Sequence, residues 1–227
     1  MIEHLTWDSD FFNFNVGRVF FSDVNFNLKE FEKKSTNYKL VYLISEHPIL
    51  HFSELFKELK ITYLKRVNYK PFQSKRTVFK LNLISNHSYK LEDLVYLSGE
   101  NSRFNLDPNF VNNEFRRMYL HWFHQAYNES LGKEIIVKVL NDEPVGLVLY
   151  SVKSQILIIE LISVSTAFQG KGIAKELLNE IEYTASKKGC TIMQVVTQGI
   201  NQKAIALYEH FGFQIEEKKY IYHYWNL

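Results

Sequence analysis

The sequence predicts a layered α/β (α+β) protein, and three patterns carry that prediction. Short apolar runs rich in β-branched and aromatic residues recur along the chain, segments of helical periodicity lie between them, and no apolar run approaches the ~20 residues that span a bilayer. Elements of both kinds bury their apolar faces by stacking sheet against helix. With 46% hydrophobic and 23% charged residues the composition is that of an ordinary folded domain, where about 45–50% and about 25% are typical, so neither disorder nor a fibrous architecture is indicated.

Strands are expected at residues 16–21, 40–45, 61–67, 78–83, 134–140, 145–152, 156–164, 192–196 and 220–225. The clearest helix is 172–188. Ile173, Leu177, Leu178, Ile181 and Ala185 form one stripe at 3.6-residue spacing, while Lys175, Glu176, Glu180 and Lys187 face away. Basic residues and then glycine, Lys187-Lys188-Gly189, close it as a helix C-terminus should. A shorter helix begins at Asn201, a good N-cap residue, sets Ala204, Leu207, Tyr208 and Phe211 on one side, and ends at Gly212. Further helices are expected at 28–34, 53–59, 91–98 and 113–126. Pro71, Ser74 and Lys75-Arg76 interrupt the periodicity and divide the chain into a smaller N-terminal α/β domain at 1–75, with a role toward substrate, and a larger domain at 76–227.

Several function classes fall away on composition. The single cysteine, Cys190, rules out an intramolecular disulfide and a cysteine-rich zinc site, and no metal is expected. The opening Met1-Ile2-Glu3-His4-Leu5 lacks the basic and then apolar order of a secretion signal, so the chain reads as cytoplasmic. Its 27 basic and 25 acidic residues are interleaved, for a net charge of +2, and argue against a nucleic-acid or membrane partner. The local cluster Lys57, Lys60, Lys65, Arg66 and Lys70 reads as a solvated face or as a contact for a phosphorylated substrate.

Chemistry concentrates after the strand at 156–164. It runs into Ser165-Thr166-Ala167-Phe168-Gln169-Gly170-Lys171-Gly172-Ile173-Ala174 and straight into the best helix. The first N–H groups of a helix have no partner within it, and the helix dipole adds positive charge, so this turn is ready to receive a phosphate-type anion. Gly170 and Gly172 let the backbone approach a ligand, and Lys171 offers a point charge. Neither the three-glycine dinucleotide fingerprint nor the phosphate-loop Lys-Ser/Thr motif is present.

The segment resembles the GCN5-related N-acetyltransferase (GNAT) superfamily, whose signature of Gln or Arg, two residues, Gly, one residue, Gly or Ala is met by Gln169, Gly172 and Ala174. A second stretch, from Asn201 through Ala204, Leu207-Tyr208 and Gly212-Phe213, is similar to another block of that family, in the expected order. The resemblance implies the GNAT fold, a mixed and mostly antiparallel sheet with splayed central strands flanked by helices, and acetyl-CoA as co-substrate. It implies that the pyrophosphate rests on the N–H groups of 169–174, Ile173 included, and that the pantetheine arm lies along Ile162-Ser163-Val164. It gives Asn201 a hydrogen bond to the arm, a role compatible with plain N-capping.

A less specific resemblance spans most of the chain. Leu5-Thr6-Trp7-Asp8-Ser9-Asp10-Phe11-Phe12, Ser102-Arg103-Phe104 and Val196-Thr197-Gln198 look like bacterial dTDP-fucosamine acetyltransferases. This implies a nucleotide-linked amino sugar as partner, dTDP-4-amino-4,6-dideoxygalactose. Such a substrate offers a base to stack, hydroxyls and a diphosphate; Trp7, Phe11, Phe12, Tyr119, His121 and Arg103 are candidate contacts, Arg103 for its forked guanidinium. Each also has a structural reading as core or surface residue. A peptide α-amine as acceptor and a non-catalytic acyl-CoA-binding protein are the competing readings, and a small isologous homodimer is a common assembly for such folds.

Acetyl transfer to an amine needs a neutral amine, a donor to the developing oxyanion and a proton for the departing thiolate. Tyr208 aligns with the family tyrosine that donates to the sulfur. By the same resemblance a backbone N–H of the splayed strand, at Ile162, is the expected oxyanion donor. For the base, Glu160 lies two and four residues before Ile162 and Val164, on their side of the pleat, with Glu114, His121 or a water relay as alternatives. Cys190 reads as a small packed residue.

Overall fold

The computed structural model describes residues 2–21, 27–68, 78–80, 88–127 and 132–226. In chain order the elements of the first part are β1 (Glu3–His4), α1 (Thr6–Phe12), β2 (Val16–Phe20), α2 (Leu28–Ser35), β3 (Leu40–Ser45), a 3-10 helix (Leu50–Leu55), β4 (Phe56–Arg66) and β5 (Val78–Lys80). There follow α3 (Ser88–Ser98), α4 (Arg103–Leu106), α5 (Glu114–Tyr127), β6 (Lys133–Leu140), β7 (Glu143–Lys153), β8 (Ile156–Val164), a 3-10 turn (Thr166–Phe168), α6 (Ile173–Lys187), β9 (Ile192–Gln198), α7 (Gln202–His210) and β10 (Gln214–Trp225). The chain divides into two compact units, Met1–Ile61 with Glu217–Leu227, and Thr62–Glu216. The domain boundary expected between residues 75 and 76 lies outside the described residues.

In the first unit β2 pairs with β1 antiparallel and with β3 parallel, and β10 pairs with β3 antiparallel, Tyr220 to Trp225 against Ser45 to Leu40. Phe31, Val41, Leu43, Ile49, Phe52 and Tyr222 make its core. The Tyr222 hydroxyl is not idle there: it accepts the Ile49 N–H at 2.7 Å. Helix α1, where the sequence shows only an aromatic run, forms because Ser9 ties it to β2. The Ser9 hydroxyl donates to the Leu5 carbonyl at 2.7 Å and accepts the Val16 N–H at 2.9 Å.

Two expectations are corrected. The helix expected at 53–59 is a 3-10 turn that gives way to strand at Phe56, because Ile61 and Tyr63 are buried in a strand and pull Phe56 to Lys60 into the same extended run against their helix-favouring composition. β10 starts at Gln214, six residues before the expected strand, since its exposed first half is extended without burying the apolar side chains that reveal a strand in sequence.

In the second unit the strand order is β9-β8-β7-β6-β5, with β8·β9 parallel and the rest antiparallel. Hairpins close it at Asn141-Asp142 (φ 50° and 62°) and Ser154-Gln155 (φ 48° and 63°), left-handed pairs whose twist suits a two-residue turn. Helix α6 presents the expected stripe, Ile173, Leu177, Leu178, Ile181 and Ala185, all buried, to strands β6 to β9. Helix α3 packs on β7 and β8, and α5 on β6. This is the mostly antiparallel, helix-flanked sheet expected. No helix among the described residues is long and apolar enough to cross a membrane.

Candidate active site

The site is built where β8 ends. Gly170 has φ 74° and Gly172, the N-cap of α6, φ 81°, a left-handed region in which an L side chain is strained. A Cβ at either would meet no protein atom within 4 Å, so the glycines serve the turn itself and leave open space above it. The consequence is a row of donors: among the described residues, no backbone N–H from Gly170 to Lys175 meets a protein acceptor, the helix ladder starting with Glu176 to Gly172 at 3.0 Å. Gln169 braces this loop. Its amide donates to the Val164 carbonyl at 3.1 Å and accepts from Lys203 Nζ on α7 at 3.3 Å. Lys171 turns its ammonium over the Phe168 ring at 4.9 Å.

Next to the loop the sheet opens. The β8·β9 ladder runs from Ile156–Ile192 to Ile159–Val195 and stops, although β8 continues to Val164 and β9 to Gln198. Beyond that point the facing strand edges have no strand neighbour, which is the splay expected from the sequence resemblance. A bulge marks the same place: Leu149 pairs with Leu161 and Tyr150 with Ile159, leaving Glu160 the extra residue. Ser163 departs from its expected role in one respect. Its side chain is buried and donates to the Leu94 carbonyl of α3 at 2.7 Å, and its backbone pairs with Leu147 of β7. Ser163→Ala should lower the unfolding free energy by about 1 kcal/mol in chemical denaturation, the usual net worth of a buried neutral hydrogen bond.

A cavity of about 720 Å³ occupies this opening. Every residue named above for the cofactor lines it except Lys171, and so do Glu160 and Tyr208. Lys175 and Lys203 also line it, and the sequence reading missed both. Lys175 lies on the helix face expected to point away, and Lys203 stands inside the 201–213 block with no role expected of it. Asn201 caps α7 by accepting the Ala204 N–H at 3.1 Å and lines the cavity as well.

Tyr208 is buried, 3% exposed, with its ring 6.0 Å from that of Tyr63 and 5.7 Å from that of Phe213. Its hydroxyl has no protein hydrogen-bond partner among the described residues. Burial pushes the phenol well above its ordinary value, because phenolate is costly away from water, so the group is a proton donor at any neutral pH. Glu160 forms an ion pair with Lys133 at 2.8 Å. Tyr119 forms part of the far wall beside Gly99, where a Cβ would fall 2.3 Å from the tyrosine ring.

The other candidates lie elsewhere. Arg103 opens α4 with its guanidinium 4.2 Å over the Phe104 ring, and His121, exposed on α5, meets Gln125 at 2.9 Å; neither lines the cavity. Buried Glu114 accepts the Asn112 N–H at 2.7 Å. Trp7, in the other unit, is 43% exposed and stacks on Phe11 at 5.1 Å. Cys190 is buried, which pushes its thiol up and away from nucleophilic use. Among the described residues no cluster of His, Cys, Asp or Glu is arranged to hold a metal ion.

Residues 102–213 match the model of the acetyltransferase (GNAT) family. Over 125 residues the chain is 33% identical to the spore coat polysaccharide biosynthesis protein SpsD of Bacillus subtilis (strain 168), a match that takes in 55% of this chain but only 43% of SpsD. A functionally unknown conserved protein from Staphylococcus epidermidis ATCC 12228 has a similar structure, TM-score 0.66 at 17% identity, over 94% of this chain and 84% of its own. A GCN5-related N-acetyltransferase from Sphaerobacter thermophilus follows the fold with a TM-score of 0.54 at 13% identity, over 92% and 73%. The family match encloses the glycine loop, the parted strands and Tyr208: residues 102–213, just under half of the chain, match the acetyltransferase domain of the GNAT family, whose members use acetyl-CoA.

Proposed function

We propose that this chain is an N-acetyltransferase that moves acetyl from acetyl-CoA to the amino group of a nucleotide-linked amino sugar, dTDP-4-amino-4,6-dideoxygalactose, by direct attack with Tyr208 as general acid. The observation that carries the reading is that one cavity brings together the free N–H row of the loop after β8, the parted edges of β8 and β9, and a buried tyrosine whose hydroxyl has no protein partner among the described residues. Acetyl-CoA has a part to meet each of these, a diphosphate, an amide-bearing arm and a thioester, and it supplies the activated acyl group. The N–H row with Lys203 holds the diphosphate, and the strand edges and Asn201 hold the arm.

The chain's own groups then divide the work. Glu160, paired with Lys133, takes the proton of the attacking amine. The Ile162 N–H, in the stretch of β8 beyond the last β9 pair, donates to the carbonyl oxygen as negative charge develops there. Tyr208 gives its proton to the departing sulfur. The sugar acceptor is supported by the identity to SpsD, which is named for polysaccharide biosynthesis, and by the sequence likeness at Trp7 to Phe12, Arg103 and Thr197, of which Thr197 lines the cavity.

The test is free-thiol release from acetyl-CoA against dTDP-4-amino-4,6-dideoxygalactose, its glucose epimer, UDP-linked 4-amino sugars and a peptide with a free N-terminus. Fastest turnover on the dTDP-galactose-configured sugar is expected. Turnover on the peptide alone overturns the sugar assignment, and coenzyme A binding with no turnover on any amine overturns the enzymatic one.

A further inference from the structure

We propose that Tyr63 is a positioning residue for the acetyl transfer, holding α7 in the one rotation that aims Tyr208 into the cavity. The inference rests on the reading of Tyr208 as general acid. Tyr63 lies on β4, its side chain fully buried, and it grips two consecutive residues of α7. Its ring packs against Tyr208 at 6.0 Å and 54°, and its hydroxyl donates to Glu209 Oε1 at 3.0 Å.

Helix α7 needs such a grip. Of its nine residues only Tyr208 is buried, with Ala204, Ile205 and Leu207 half-buried, so its apolar face constrains its rotation weakly. Successive residues of a helix are about 100° apart around its axis, and a strand residue that holds both 208 and 209 therefore fixes rotation as well as distance. The Tyr208 ring is thereby held between Tyr63 and Phe213, where the residue lines the cavity. Glu209 is otherwise an exposed residue, yet its carboxylate turns to a buried phenol. Burial, and then Glu209, push the Tyr63 phenol up to about 12, so the Tyr63 proton stays in this hydrogen bond throughout the range of an assay. A proton donor must be placed to a fraction of an ångström to be effective, and such small displacements are what loss of this grip produces.

The experiment is a double-mutant cycle read as kcat and KM for acetyl-CoA, with the amine that gives the fastest thiol release. Tyr63→Phe keeps the ring and removes the hydrogen bond; it should lower kcat roughly 5- to 10-fold with KM changed less than about 2-fold. Glu209→Gln, whose amide oxygen still accepts, should keep most of the activity, whereas Glu209→Leu should match Tyr63→Phe. In a Tyr208→Phe background Tyr63→Phe should cost less than about 2-fold, because the group it positions is gone. Equal losses in both backgrounds, or a lower Tm with kcat unchanged, overturn the positioning role and leave the acid assignment standing. A Tyr208→Phe enzyme with undiminished kcat overturns the acid assignment itself, and the positioning role with it.

Discussion

Tyr208→Phe should lower kcat by about 10²-fold or more, the usual contribution of a positioned general acid, with the KM for acetyl-CoA unchanged. Phenylalanine preserves the ring and its contacts with Tyr63 and Phe213, and the lost hydroxyl has no protein hydrogen bond to forfeit, so Tm should stay within a degree or two of wild type. Residual turnover should remain, because the N–H row and the strand edges are untouched. The pH profile is a second check. Burial raises the Tyr208 phenol above its ordinary value of 10, so the protonated form that acts as donor persists through neutral and mildly alkaline pH. No fall in kcat assignable to Tyr208 should occur below pH 10. A full-rate Phe variant, or an alkaline loss near pH 8 that the variant abolishes, contradicts the role.

The second large effect is expected at the loop. Gly172→Asp should weaken coenzyme A binding by about 10²-fold, measured by titration calorimetry, while Gly172→Asn weakens it only a few-fold. Both side chains tolerate positive φ better than other L residues do, so both variants should fold, with a similar modest loss of Tm, at the φ of 81° found there. They differ in charge alone. A carboxylate at the N-cap of α6 sits among the free N–H groups meant for a diphosphate. Like charges some 4 Å apart repel by about 4 kcal/mol at an effective dielectric of 20, of which salt screening leaves two or three. Each 1.4 kcal/mol is tenfold in affinity. Equal affinities for the two variants remove the loop from the binding site.

Local pattern reveals an element when the residues that form it also bury themselves. The stripe of α6 and the strand at 156–164 are of this kind, α7 is legible from its Asn201 cap and Gly212 stop, and the glycine loop between β8 and α6 because strand, turn and helix start are contiguous in the chain. Two elements escaped for the opposite reason. β4 extends back through helix-favouring Phe56 to Lys60, and β10 begins with six residues that are mostly exposed. Lys203 and Lys175 were not identified because nothing local distinguishes a lysine that turns into a cavity from one that turns to water.

What the sequence determined by itself is the chemistry that consecutive residues perform together: an anion-ready helix start and a capped short helix carrying Tyr208. What the tertiary structure decided is everything that depends on residues far apart in the chain. The β8·β9 ladder ends at Ile159–Val195, Ser163 turns to Leu94, Glu160 pairs with Lys133, and Tyr63 reaches across 146 positions to Glu209. The physical reason is that periodicity records which side of an element is apolar, whereas a ladder's end or a side chain's partner is set by competition among neighbours that meet only when the sheet has formed.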